Sequence, residues 1–243
     1  MSDAVHYIPI ATTLMSFAFA SVVFRRYRQK EGARHLLWWT AGILTFGAGT
    51  FTEGYTAVFG WNEGIFKAWY ITGALLGGAP LAQGTVYLLI RRSWADRMTI
   101  AVVSFIVISS IFVLLTPVDA SLAEEHVLSG KVIDWTWVRA FSPFINTYAF
   151  IFLVGGATYS AMRYSESPDS RNRTIGNIFI AVGALLPGIG GSFTRFGYTE
   201  VLYVTEFLGL ILIYVGYRYN TMGRPAHLEP LLATSGQALT GTP

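Results

Sequence analysis

The stretch MTIAVVSFIVISSIFVLLTPV, residues 98–118, contains no Asp, Glu, Lys or Arg along its whole length. An α-helix needs about 20 apolar residues to cross the hydrocarbon core of a bilayer. A segment inside a bilayer must also satisfy its own backbone hydrogen bonds, and this run is too long and too evenly apolar for a barrel strand. The stretch therefore predicts a membrane-spanning α-helix.

The rest of the chain repeats this pattern. Four other uncharged intervals have a similar length, and two further apolar intervals each carry one acid within the span, with Glu200 added at the very start of the last. The predicted spans are residues 4–24, 35–58, 68–90, 98–118, 140–162, 174–194 and 199–217. With 53% hydrophobic and only 13% charged residues, the chain is too apolar for the charged surface of a soluble domain. The sequence predicts an all-α polytopic membrane protein, a seven-transmembrane-helix bundle over residues 1–220 with a flexible cytoplasmic tail at 221–243.

The cations predict how this bundle is oriented. If the loops alternate between two sides, thirteen of the 17 Lys and Arg residues fall on one side. The positive-inside rule then places the amino terminus outside and the carboxyl terminus in the cytoplasm, as in a bacterial inner (cell) membrane. Anionic lipid on the inner leaflet accounts for the net charge of +3. We therefore expect the lipid bilayer as a partner, and no nucleic acid.

Residue types that carry enzyme chemistry are scarce. The chain has no Cys, and each of its four His residues lies at the edge of a span, in a loop or in the tail, which does not suit a bis-histidine haem. Neither HExxH nor GxSxG occurs. These features predict a non-enzymatic protein with no metal and no cofactor.

Two acids interrupt otherwise apolar spans. Glu53 lies about 8 Å of helix from the outer end of the second span, and Glu206 lies about 10 Å from that of the last. An acid at such depth faces the bundle interior, pairs, or marks a functional path, and desolvation favours its neutral form. Tyr203 lies one turn from Glu206 and is expected to donate a hydrogen bond to it, while Asn146 adds polarity to the fifth span.

Two interpretations of this polar cluster remain open. In the structural one, Glu53 and Lys67 form an ion pair that fixes the second and third helices, and Glu206 is a protonated, hydrogen-bonded structural group. In the functional one, Glu206, Glu53, Tyr203 and Asn146 line a pocket that is open to the outside and receives an unknown small ligand, an ion or a proton. Arg139 and Arg195 are further ion-pair candidates on the same side.

The glycines and prolines of the third and sixth spans allow two interpretations of their role. Gly73 and Gly77 form a small-xxx-small pair, which allows helices to approach closely in lipid. Alternatively, Pro80 and Pro187 break their helices beside a cavity, as happens in transporters.

The same region carries a resemblance to a known family. Trp38 or Trp39, then Glu53, are followed by KAWYITGALLGGAPLAQGTVYLL, which contains Trp69, Tyr70 and Tyr87. Over residues 35–92 the chain resembles the seven-helix amino-terminal sensor region of bacterial histidine kinases and diguanylate cyclases. The resemblance implies a signal-transduction sensor. Since no kinase or cyclase domain follows the seventh span, we expect the signal to reach a separate cytoplasmic or membrane partner.

The layout is also similar to that of microbial rhodopsins, but their chromophore needs a lysine in the seventh helix. The lysines here are Lys30, Lys67 and Lys131, which excludes a retinal Schiff base. We therefore expect a sensor- or receptor-like module with a polar pocket in the outer half of the bundle. The alternative is a small-solute or proton-coupled ion transporter that uses Glu53 and Glu206.

Overall fold

The computed structural model describes residues 3–30, 32–166 and 170–222, so most of the predicted tail lies outside the described residues. Within these ranges the chain forms nine α-helices and no β-strand, which confirms the all-α prediction. They are α1 (Ile8–Gln29), α2 (Arg34–Phe59), α3 (Glu63–Trp69), α4 (Ala79–Leu89), α5 (Arg92–Leu115), α6 (Phe141–Ala149), α7 (Gly156–Ser165), α8 (Arg171–Phe193) and α9 (Thr199–Thr221).

Five helical segments are long and apolar enough to cross a membrane, as expected for a membrane protein. These segments are Val5–Gln29, Arg92–Leu115, Thr136–Ser165, Arg171–Phe193 and Thr199–Thr221. The most outward-facing is α5, where Ile100 is 68% exposed and Leu115 is 63% exposed. Large apolar side chains on an outer face suit contact with lipid.

The third predicted span is divided. It consists of α3, a π-helical turn at Tyr70–Leu75, a short break, and α4. The break falls at Gly77 and Gly78, and Pro80 occupies the first turn of α4, where a missing backbone N–H leaves no hydrogen bond unmade. A second π-helical turn, Phe150–Gly155, joins α6 to α7 without a break. In contrast, α8 continues through Pro187.

A tight turn brings α3 back against α2. Gly60 ends α2 in a backbone conformation with φ of +84°, which glycine adopts without strain. The Asn62 side chain then caps α3 by accepting hydrogen bonds from the backbone N–H groups of Gly64 (2.9 Å) and Ile65 (3.2 Å). This turn sets the upper part of α2, including Glu53, beside α3.

The helices run up and down, so the bundle has two ends. One end carries the turn at 60–62, the long segment 116–140 and the turn at 194–198, and we call it the upper end. The lower end carries the ends of α1, α4 and α7 and the starts of α2, α5 and α8. Short 3₁₀ turns and two isolated bridges, Val118 with Ile133 and Glu124 with Val127, organise the 116–140 segment.

Glycines on α8 and α9 let these two helices touch along their backbones. A Cβ on Gly183 would lie 2.6 Å from the carbonyl oxygen of Gly209, and one on Gly176 would lie 2.7 Å from that of Gly216. Neither position leaves space for a side chain. Small residues at such contacts are the usual way for helices to associate in lipid.

Candidate functional site

Glu53 of α2 and Glu206 of α9 meet inside the upper half of the bundle. Their carboxyl groups lie close enough to form a hydrogen bond with each other. Glu53 is only 4% exposed, and Oε2 of Glu206 is fully buried. Since an ionised carboxylate can only accept, a hydrogen bond between two carboxyl groups requires a proton on one of them. We call Glu53 and Glu206 the acid pair.

Trp69, at the end of α3, completes the immediate surroundings of the acid pair. Its indole Nε1 donates a hydrogen bond of 2.9 Å to Oε1 of Glu53. The second oxygen atoms of the pair, Oε2 of Glu53 and Oε2 of Glu206, are buried. Neither accepts a hydrogen bond from an N–H or O–H group outside the pair among the described residues. The pair therefore keeps acceptor capacity for a cation or for a donor group of a ligand.

A cavity of about 530 Å³ opens beside the acid pair at the upper end, and we call it the upper cavity. Its volume lies within the range typical of small-molecule sites. Both acids, Trp69 and Asn146 line it, together with residues of the 116–140 segment. The upper cavity thus combines buried acids with aromatic and amide groups, a combination suited to a small ligand that carries hydrogen-bond donors or positive charge.

Two other predicted site residues lie nearby. Tyr203 is 2% exposed, and its ring meets that of His6 edge-on at 6.2 Å between centroids. The predicted hydrogen bond from Tyr203 to Glu206 is not formed, because the carboxyl group of Glu206 turns to Glu53 instead. Asn146 is exposed and borders the upper cavity rather than the acid pair.

The structure pairs Lys67 differently from the sequence-based prediction. Its Nζ lies 2.8 Å from Oε1 of Glu63 and 3.0 Å from the carbonyl oxygen of Leu114, not at Glu53. Glu63 and Lys67 are four residues apart on α3 and share a face, whereas Trp69 lies on the side that meets Glu53. The Glu53–Lys67 interpretation is therefore corrected to an acid–acid contact that is capped by an indole.

The remaining ion-pair candidates do not join the acid pair. Arg139 lies exposed in the turn before α6 and contacts no carboxylate within 4 Å among the described residues. Arg195 lies in the short turn after α8, and its side chain is outside the described residues.

Glycine and proline contribute to the walls of the upper cavity. Gly73, Gly77 and Pro187 all line it, whereas Pro80 lies buried at the start of α4. A Cβ on Gly49 of α2 would lie 3.1 Å from Cα of Gly73, so the π-helical turn packs against α2 backbone to backbone. In the third span, close packing and a broken helix beside a cavity occur together, whereas the prediction that Pro187 breaks its helix is wrong, because α8 continues through it.

A buried polar network below the break adds contacts that the sequence-based prediction does not include. Gln83 of α4 is fully buried, and its Nε2 donates to the carbonyl oxygen of Ala95 (3.1 Å) and to Oγ1 of Thr99 (2.7 Å). The hydroxyl of Tyr148 on α6 donates to Oε1 of Gln83. A glutamine in an otherwise apolar span is a signal for such a network, because its amide needs partners in lipid.

A second cavity of about 360 Å³ lies at the lower end, and we call it the lower cavity. Five apolar residues line both cavities, and we call them the septum. They are Phe19, Ile43, Leu81, Leu153 and Ile213. The two cavities are therefore neighbours along the bundle, with the septum where they meet.

Comparisons of the chain with protein-family models, curated proteins and solved structures found no match. Among the described residues, no three His, Asp or Glu side chains come together in a way that could hold a metal ion.

Proposed function

We propose that this chain is a sensor- or receptor-like membrane protein in which the upper cavity receives a small ligand or a proton at the acid pair. The observation that carries the proposal is the contact between Glu53 and Glu206, two buried carboxyl groups on different helices beside a cavity. Buried acids that line a cleft of this kind are candidates for function. The resemblance of residues 35–92 to the sensor region of bacterial histidine kinases and diguanylate cyclases also supports a sensor.

The acid pair can convert ligand binding into helix movement. With one proton between them, the two carboxyl groups attract each other and hold α9 against α2. If the proton leaves, two like charges face each other where the dielectric is low, and they repel. A cation or a donor group in the upper cavity would compensate that charge. Binding and proton release are then linked at one contact.

The glycine contacts between α8 and α9 couple the movements of these two helices. Backbones that touch at Gly183 and Gly209 cannot slide freely, so α8 is expected to follow α9. Both helices reach the lower end, where we propose that a separate cytoplasmic or membrane partner reads the change.

The proposal includes seven spans in a bacterial inner membrane, with the upper end outside. In this proposal α2 and the divided third segment cross the membrane in addition to the five segments that are long and apolar enough to do so. The concentration of Lys and Arg near the lower-end connections supports a cytoplasmic lower end. A reporter that works only in the cytoplasm should be active when fused after Asn220 and inactive when inserted near Ser129. The reverse result would overturn this orientation.

Helix movement can be measured directly because the chain contains no native Cys. Spin labels on Leu37→Cys of α2 and Arg218→Cys of α9, both exposed near the lower end, would report the distance between these helices in lipid nanodiscs. We expect the distance distribution to change with pH in the wild type and to stay fixed in Glu206→Gln. A pH-independent distance in the wild type, or equal changes in both proteins, would reject the sensor mechanism.

A proton-coupled transporter is the second candidate, and the septum favours it. Two cavities in opposite halves of the bundle that share an apolar wall resemble the arrangement needed for alternating access. Liposomes with a trapped pH-sensitive dye separate the two functions. Proton or solute flux that requires Glu53 and Glu206 would establish transport, whereas helix movement without flux would establish the sensor.

A further inference from the structure

We propose that the lower cavity binds a phosphate group, carried either by an anionic lipid headgroup or by a free phosphate solute. Three cations reach this cavity from two parts of the chain. Arg26 and Lys30 come from the end of α1, and Arg173 comes from the first turn of α8. The proposal is independent of the acid pair, which lies in the other half of the bundle.

The lower cavity has no charge of opposite sign in its described walls. Neither Asp nor Glu is among the residues that line it. The two ion pairs between described residues lie elsewhere, at Arg34 with Asp96 and at Lys67 with Glu63. A concave site whose charged lining residues are all cations concentrates anions, because its low-dielectric walls focus the positive field.

The two arginines are held at the wall of the cavity by aromatic rings. The guanidinium of Arg26 lies 5.9 Å from the ring centroid of Tyr217, and that of Arg173 lies 5.2 Å from the ring centroid of Tyr164. Such stacking fixes the position of a guanidinium while leaving its N–H groups available. Arginine N–H groups in a fixed fork match the oxygen atoms of a phosphate.

Neutral donors complete the polar part of the cavity. Asn177 of α8 donates from Nδ2 to the carbonyl oxygen of Arg173 at 2.8 Å and to Oδ1 of Asn220 at 3.4 Å. The amide NH₂ group of Asn220 makes no hydrogen bond to a described residue, and Asn220 lines the cavity. Asn220 is therefore a further candidate donor for an anion in this cavity.

The position in the bundle and the remaining walls suit a phosphate that belongs to a lipid. Toward the septum the cavity becomes apolar, with Val23, Leu36 and Leu89 among its walls. Basic pockets between spanning helices with apolar walls are typical sites for phosphorylated headgroups. A free phosphate solute would use the same cations without the apolar walls, so the two sources can be separated by experiment.

The test measures the thermal unfolding midpoint of the protein in a phosphate-free detergent. One arm adds inorganic phosphate in exchange for chloride at constant ionic strength. The other adds phosphatidylglycerol, with diacylglycerol of the same acyl chains as the reference without phosphate. We expect the midpoint to rise with at least one of the two phosphate probes, because a ligand that binds the folded state stabilises it. A rise only with phosphatidylglycerol identifies the lipid as the source.

Variants then locate the site. Each cation removed should weaken the apparent affinity about fivefold, so Arg26→Gln with Arg173→Gln should weaken it about 25-fold. Arg97→Gln is the matched control, because Arg97 also stacks on an aromatic ring, at 5.1 Å from that of Trp94, but does not line the cavity. This control should bind as the wild type does.

Two results would overturn the proposal. The first is a wild-type midpoint that rises with neither phosphate probe, which needs no variant and so does not depend on whether a variant folds. The second is an Arg97→Gln protein that loses as much affinity as the double variant, since that would show only attraction to a basic surface. The charge-conserving Arg26→Lys with Arg173→Lys should retain most of the binding.

Discussion

The indole nitrogen of Trp69 donates a hydrogen bond of 2.9 Å to Oε1 of Glu53 and so joins the end of α3 to a buried acid on α2. The bond gives Oε1 of Glu53 one fixed donor, whereas Oε2 has no donor among the described residues, and Glu53 lines the upper cavity together with Glu206. The orientation of the acid pair thus depends on a residue from a third helix.

Replacing Trp69 with Phe should destabilise the protein by about 1–3 kcal/mol, the usual cost of leaving a buried acceptor without its donor. Chemical unfolding in detergent measures this loss. Trp61→Phe is the control, because both indoles pack on Phe66, at 6.3 Å for Trp61 and 6.0 Å for Trp69, while the buried Nε1 of Trp61 has no acceptor among the described residues. Equal losses in the two variants would show that packing, not the hydrogen bond, determines the effect.

Glu206→Gln should fold and insert normally, because an amide NH₂ can donate to Glu53 as a protonated carboxyl group does. The infrared band of protonated carboxylic acids, in the difference spectrum between acidic and basic pH, should lose the contribution of the acid pair, and the response or transport should be lost. Glu200→Gln is the control, because it changes an exposed acid on the same helix. It should leave both the infrared band and the response or transport unchanged. A Glu206→Gln protein with full activity and unchanged pH dependence would reduce this acid to a structural role.

Gly183→Ala should destabilise the bundle by about 1–3 kcal/mol, since the new Cβ would lie 2.6 Å from the carbonyl oxygen of Gly209 and the two backbones must separate. Gly188→Ala on the same helix has nothing within 4 Å of its Cβ and should stabilise α8 by up to about 1 kcal/mol through helix propensity. Thermal unfolding of both variants checks the opposite signs. A neutral Gly183→Ala would contradict close contact between α8 and α9.

Gln83→Leu and Tyr148→Phe should not be additive. Either change alone leaves the other polar group without its partner, whereas the double change removes both, so we expect a coupling energy of about 0.5–3 kcal/mol in a double-mutant cycle. Gln83→Leu combined with Thr13→Val, which breaks the separate bond between Thr13 and Thr50, should be additive. Additivity in the first cycle would mean that the Gln83–Tyr148 bond contributes nothing to stability.

Ser121→Ala should raise the pKa of Asp119. Hydrogen bonds from the Ser121 hydroxyl (2.6 Å) and backbone N–H (2.9 Å) hold the pKa of this carboxyl below its ordinary value. A lowered pKa in the folded state means stability that is present above the unfolded pKa and is lost as the pH falls through the folded pKa. Carboxyl carbon NMR of labelled protein measures the titration.

Ser129→Ala, in the same segment, is the control for Asp119. Its hydroxyl oxygen accepts from the backbone N–H of Lys131 and does not bond to Asp119. The titration of Asp119 should therefore be the same in Ser129→Ala as in the wild type. An unchanged titration in Ser121→Ala would rule out the side-chain hydrogen bond as a cause.

Local features of the sequence are sufficient to predict where a long uninterrupted helix lies. The uncharged run at 98–118 predicts α5 because length and apolarity are properties of that segment alone. Partners within the bundle are not local. Lys67 is the cation nearest to Glu53 along the chain, yet the contact partner is Glu206 on the last helix, because packing decides which faces meet.

Two residue types in the spans indicate polar contacts on their own. An indole in a spanning segment needs an acceptor, so the sequence alone makes Trp69 a candidate partner for Glu53. The same reasoning applies to the amide of Gln83. Proline is ambiguous: Pro80 follows Gly77 and Gly78 and begins a new helix, whereas α8 continues through Pro187, as spanning helices often tolerate.

The two π-helical turns, Tyr70–Leu75 and Phe150–Gly155, are positions where the chain can tolerate the loss of one residue. A π-helical turn holds about one residue more than the α-helical turn it replaces. Deleting one residue within either turn can therefore be absorbed by local rewinding, with the helix on both sides keeping its facing residues. The same deletion in α5, which is regular throughout, would rotate every later residue of that helix by about 100° and turn its lipid-facing side chains inward.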